Sequence, residues 1–194
     1  MNSKDREKPK ILQKLGGGDL RSIGRANEVV QDILQDPALF SEVFVGLRDN
    51  DPVIRTRAAD ALEKVSAKHP EYLQPFKDDL INEISRIQQQ EVQWHVAQMF
   101  SYLELNKAEK NKVIKILYSY IDTTESNIVK VNCMQTLSVF AERDKSLRPE
   151  IIKKIKEMMK TGGGAIQAKG RKLLAILEII RQVTLELRTL NEVN

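Results

Sequence analysis

Four aliphatic residues recur at nearly equal intervals: Ile54, Val92, Val129 and Ile166, separated by 38, 37 and 37 positions. Four places after each stand Ala58, Val96, Cys133 and Gly170. Eight places after come Leu62, Phe100, Leu137 and Leu174, and eleven after come Val65, Leu103, Phe140 and Leu177. Offsets of 0, 4, 8 and 11 fall on one side of an α-helix. Agreement of four copies at four offsets marks a repeating helical unit, not one isolated amphipathic helix.

A shorter apolar-periodic run precedes each copy: Ala38 to Leu47, Phe76 to Ile87, Asn111 to Ile121 and Glu150 to Lys160. The two runs of a unit are separated by RDNDP, QQQ, DTTESN or TGGG. Successive units are separated by KHPEYLQP, NKAEK and DKSLRP, where Pro70, Pro75 and Pro149 stop a helix from continuing. Each unit is therefore predicted to be helix, tight turn, helix. Asp51 is placed to cap the second helix, with Pro52 at the first helical position, where a missing N–H costs nothing. Small residues at offset 4 let neighbouring helices approach closely. A helix pair of this size cannot bury its apolar face alone, so successive pairs must stack, and the expected class is all-α.

Composition agrees with that class. Hydrophobic residues make up 41%, charged residues 30% and aromatics 5%, a mix that favours helix over strand in a folded chain. No apolar run approaches the roughly 20 residues of a membrane span. The first residues, MNSKDREKPKILQKLGGG, lack the apolar core of a secretory signal. Cys133 alone forms no internal disulfide framework, and the expected location is the cytoplasm.

The segment DNDPVIRTRAADALEKV resembles the second helix of a HEAT repeat, with Asp51, Pro52, Ile54, Arg55, Ala58, Ala59 and Leu62 at the family's positions. Later copies replace Arg55 with Gln93, Lys130 and Gln167. The resemblance covers roughly residues 38 to 178. It implies a right-handed α–α superhelix of about four helix pairs, with the second helices lining a concave binding surface. The expected organisation is a flexible basic arm over 1–18 and an array over 19–178, followed by a capping or oligomerising helix over 179–194. Within the array, units lie near 38–75, 76–110, 111–149 and 150–178, after a degenerate first helix at 19–35.

Offsets 3 and 6, with 2 and 10 at the margins, are expected to face the concave side. They place Arg57, Trp94, His95, Gln98, Tyr102, Asn132 and Gln135 on a surface for a protein partner, because Trp and Tyr are enriched at binding hot spots. The alternative for Trp94 and Tyr102 is packing between repeats. Charge is divided along the chain: residues 28–104 hold 14 Asp/Glu against 7 Lys/Arg, and residues 145–172 hold 9 Lys/Arg against 2 Asp/Glu. Lys169, Arg171 and Lys172 follow a glycine run that opens a helix, a setting suited to phosphate or nucleic acid as well as to a simple turn. Leu173, Ile176, Ile180, Val183, Leu187 and Leu190 are spaced 3, 4, 3, 4, 3, which fits either a cap or self-association of two chains.

No catalytic, cofactor or metal motif is visible, and His69 and His95 lack the spacing of a zinc site. The expected function is a non-catalytic scaffold for a protein partner, with nucleic acid as the alternative ligand. A third reading rests on likeness to the alkylpurine DNA glycosylases, which are HEAT-like arrays with a basic groove. Trp94 and Asp60 would then meet the damaged base, with Arg57, Lys169 and Lys172 on phosphates.

Overall fold

The computed structural model describes residues 9–192, with side chains described through residue 180. Among the described residues the chain is helical and contains no strand. It divides into two compact units, Met1–Val113 and Ile114–Asn194.

The first unit opens with α1 (Lys10–Gln13) and α2 (Ala26–Gln35). It continues through α3 (Leu39–Val45), α4 (Pro52–Ser66), α5 (Pro70–Leu73), α6 (Lys77–Asn82) and α7 (Gln90–Met99). Short 3-10 turns at Gly46–Arg48, Ile84–Arg86 and Phe100–Tyr102 extend α3, α6 and α7. α8 (Lys107–Thr123) crosses the boundary between the units. α9 (Asn127–Arg143), α10 (Arg148–Thr161) and α11 (Gly164–Glu192) complete the second unit. The predicted cap of α4 is present: Asp51 Oδ1 accepts from the Val53 amide at 2.8 Å, and Pro52 holds the first helical position. Ser126 caps α9 in the same way, through the Val129 amide.

In the first unit α4 lies between α2 and α7, and in the second α11 packs on both α9 and α10. The repeated offsets form the core: Ala58, Leu62, Val65, Val92, Val96, Phe100, Val129, Cys133 and Leu137 are fully buried. The shorter helices are joined through aromatics, with Phe76 stacked on Phe44 at 4.4 Å and tilted against Phe40 at 5.6 Å.

Two expectations are corrected by packing. Residues 9–18 are not a loose arm, because Ile11, Leu12 and Leu15 are buried and α1 packs on α3. Burying each such side chain stabilises the fold by about 1.5–3 kcal/mol, enough to hold a short helix in place. In α11 the buried stripe is Ile166, Gly170, Leu173 and Leu177, while Leu174 is only half-buried. Spacings of 4, 3 and 4 follow the helix period, so Leu173 belongs to the core and not to a seam. Gly170 lets the neighbouring helices approach closely: a Cβ there would collide with Met159 and lie 3.4 Å from the Met134 methyl.

α11 runs without a break from Gly164 to Glu192, so residues 179–192 continue its helix rather than forming a separate element. No helix among the described residues is long and apolar enough to cross a membrane.

Candidate functional site

In the first unit the faces of α2, α4 and α7 carry a connected polar strip. Lys64 Nζ on α4 donates to Asp60 Oδ2 at 2.7 Å, one turn back, and to Asn27 Oδ1 on α2 at 2.9 Å. On α7, His95 Nε2 lies 3.9 Å from Asp60 Oδ1. Tyr102 OH, in the turn after α7, donates to Glu63 Oε1 on α4 at 2.7 Å. Consecutive second helices thus exchange polar contacts at one-repeat separations.

Burial sets the protonation states along the strip. Desolvation pushes His95 down to about 4; Asp60 opposes that shift and Lys64 adds to it, so the imidazole is neutral near pH 7. Its Nδ1 is buried without a hydrogen-bond partner. Burial, then the Glu63 carboxylate, raises the Tyr102 phenol above its ordinary range. Glu63 is itself raised by burial, and the Tyr102 hydrogen bond opposes that shift.

Several residues expected at a partner surface are engaged within the protein. Arg57 is 3% exposed and does not face a groove. Its guanidinium donates to the Ser22 carbonyl at 3.0 Å, to those of Leu15, Gly16 and Gly17 at 2.9, 3.1 and 2.7 Å, and to Asp19 O at 3.3 Å. Offset 3 of the first copy points at the segment preceding α2, which the spacing alone does not reveal. His95 is 9% exposed, so it contributes to packing rather than to contact. Tyr102 is half-buried with its hydroxyl committed to Glu63.

Trp94 and Gln98 remain half-exposed on one face of α7. The indole meets the His95 ring edge-on at 5.7 Å, and Gln98 Nε2 reaches back to the Trp94 carbonyl at 3.4 Å. In the second unit Asn132 and Gln135 are half-buried on α9, Lys169 is half-buried on α11, and Arg171 and Lys172 are exposed. Desolvation, then the neighbouring Lys172 charge, lowers the Lys169 pKa. The glycine run before α11 is a tight turn: a Cβ on Gly162 would meet Ile166 and the Met158 carbonyl, while Gly163 and Gly164 are open. Of the apolar seam, Leu173 is buried, Ile176 is exposed and Ile180 half-buried. Val183, Leu187 and Leu190 lie outside the described side chains.

Of the residues that the glycosylase reading uses, Asp60 is ion-paired to Lys64 and Arg57 is buried against backbone carbonyls. Cys133 is fully buried and its thiol is pushed up to about 12 by that burial, which suits packing rather than nucleophilic chemistry. Glu63 and Asn27 were not expected at the strip. The separation of 39 residues between Glu63 and Tyr102, one repeat plus two, is the signal that links them.

Stacked helix pairs with polar contacts running between successive second helices define a helical-repeat scaffold. Residues 19–176 match the family model described as HEAT repeat domain, and the chain belongs to that family. It is also similar to the protein named AP-3 complex subunit delta of Saccharomyces cerevisiae, at 24% identity over 159 residues. That match covers 78% of this chain and 17% of the yeast protein. No solved structure matches.

Proposed function

We propose that this chain is a non-catalytic scaffold that holds a protein partner on the exposed parts of its second helices. The carrying observation is the contrast on α7. Lys64 is bonded to Asp60 and Tyr102 to Glu63, whereas the Trp94 indole, half-buried like them, meets the His95 ring edge-on. An accessible tryptophan held against a fixed imidazole edge offers large contact area at small entropic cost. In the second unit Asn132 and Gln135 supply neutral hydrogen-bonding groups, and Lys169, Arg171 and Lys172 supply positive charge that speeds encounter with an acidic partner. The likeness to a protein named as a subunit of a complex supports membership in a protein assembly.

The test is capture from native lysate by wild type and by Trp94→Ala, with and without nuclease. A defined protein retained by wild type through nuclease treatment and lost by a Trp94→Ala variant of unchanged melting supports the proposal. Capture that disappears with nuclease, and with Lys169→Glu and Lys172→Glu, assigns the surface to nucleic acid instead. Collapse of the fold in Trp94→Ala assigns the indole to packing.

A further inference from the structure

Among the described residues, six large aliphatic side chains are exposed, and two of them, Leu20 and Ile23, fall in the short loop Gly16–Gly24. This loop is tightly tied. Five of its carbonyls or those flanking it converge on the buried Arg57 guanidinium. Asp19 Oδ1 accepts from the Arg21 and Ser22 amides at 2.9 and 3.1 Å, and Ser22 Oγ accepts from the Gly24 amide at 3.1 Å. Gly17, Gly18 and Gly24 are in the left-handed region, and a Cβ on Gly24 would lie 2.6 Å from Arg57 Cζ. The loop backbone is therefore held in place, with Leu20 (41% exposed), Arg21 and Ile23 (52% exposed) along it. Association through such a preformed knob loses little conformational entropy.

The same unit carries a cavity of about 550 Å³ lined by Pro70, Glu71, Gln74, Pro75, Tyr102 and Glu104. Two proline rings and the tyrosine ring supply apolar wall, and the exposed Glu71 and Glu104 supply negative charge. The pocket is preformed too. The Gln74 carboxamide donates to the Glu104 carbonyl and accepts from the Glu104 amide, both at 3.0 Å, and the Tyr102 hydroxyl donates to Glu63. The loop sets a cation between two exposed aliphatic residues, with Asp19 taken up by the Arg21 and Ser22 amides. The cavity sets Glu104 and the His69-bonded Glu71 at the edge of an apolar wall, so the two patches are complementary in polarity and, at Arg21, in charge.

We propose that the Gly16–Gly24 loop of one copy docks in the Pro70–Glu104 cavity of a second copy. Leu20 and Ile23 enter the apolar part, and Arg21 meets Glu71 and Glu104. Loop and cavity are different patches of one unit, so the contact is heterologous unless two copies exchange loops reciprocally. The partner-binding face of α7 is not used, and this proposal stands apart from the scaffold reading.

Sedimentation velocity on the full chain, from micromolar to near-millimolar concentration, tests it. Wild type is expected to associate reversibly, with roughly a tenfold or greater weakening in Leu20→Asp, in Ile23→Asp and in Glu104→Lys. All three sites are exposed, so helicity and melting serve as checks that each variant folds. Arg21→Glu is expected to weaken association, and combining it with Glu71→Arg and Glu104→Arg to restore it. A wild-type chain that stays monomeric throughout overturns the proposal. So does association that survives the loop and cavity variants, or that is lost instead in Ile179→Asp on α11.

Discussion

Arg57 and Lys169 occupy the same position of the repeat, one in each unit, as do Asp60 and Lys172. In the first unit both side chains are used internally: Arg57 is wrapped by backbone carbonyls and Asp60 is paired with Lys64. In the second, Lys169 is half-buried and Lys172 exposed. His95 and Asn132 repeat the pattern, the first buried and the second half-buried. A shared helical offset thus assigns a face, while availability depends on what else packs there. The first unit has the segment from Leu15 to Ser22 laid against Arg57 of its second helix, so an offset that would otherwise meet a partner meets the chain itself.

The largest expected effect on that comparison is from Arg57→Ala. Five carbonyls lose their donor and a long side chain leaves a buried space, so stability should fall by on the order of 4 kcal/mol. Denaturant unfolding would read the loss, and limited proteolysis should show new cleavage between residues 9 and 25. If Arg57→Ala is as mild as Lys169→Ala, the contrast between the units fails.

Next in size is Leu173→Ala, expected to cost about 3 kcal/mol as a core truncation, against a negligible change for Ile179→Ala. Equal, small effects would return Leu173 to the exposed seam.

His95 gives a pH-dependent term. Its folded pKa, about 4, lies below the ordinary value of 6.5, so the unfolded chain binds the proton more readily. The stabilisation is present above pH 6.5 and is lost as pH falls toward 4, amounting to about 2 kcal/mol by pH 5. Glu63, whose carboxyl is raised, works in the opposite sense, so the quantity to read is the difference between wild type and His95→Gln across that range. A difference that does not change with pH would mean the imidazole is not buried neutral. The smallest expected change is for Lys172→Glu, within about 0.5 kcal/mol in stability, because the side chain is exposed.

Much of the fold was legible. The offsets of 0, 4, 8 and 11 found the core of the first three copies, and the Asp51–Pro52 pair located the start of α4. In the fourth copy Ile166, Gly170 and Leu177 are buried at their offsets, but Leu173 takes the buried place expected of Leu174, because periodicity carries no information on neighbouring volume. The site was legible in part. Trp94 and Gln98 are half-buried and Arg57 and His95 are buried, a difference their offsets do not carry, and Glu63 went unseen because its partner is on another helix.

The spacing of apolar residues by itself determined that this chain forms helix pairs that must stack, since a helix with one apolar stripe is stable only against another surface. Burial of Ile11, Leu12 and Leu15, the enclosure of Arg57 and the pairing of Asp60 were decided only in the tertiary structure. A polar side chain's partners lie at distances along the chain that no local period encodes. Whether such a group faces a ligand or the protein is set by which segments fill the space above it.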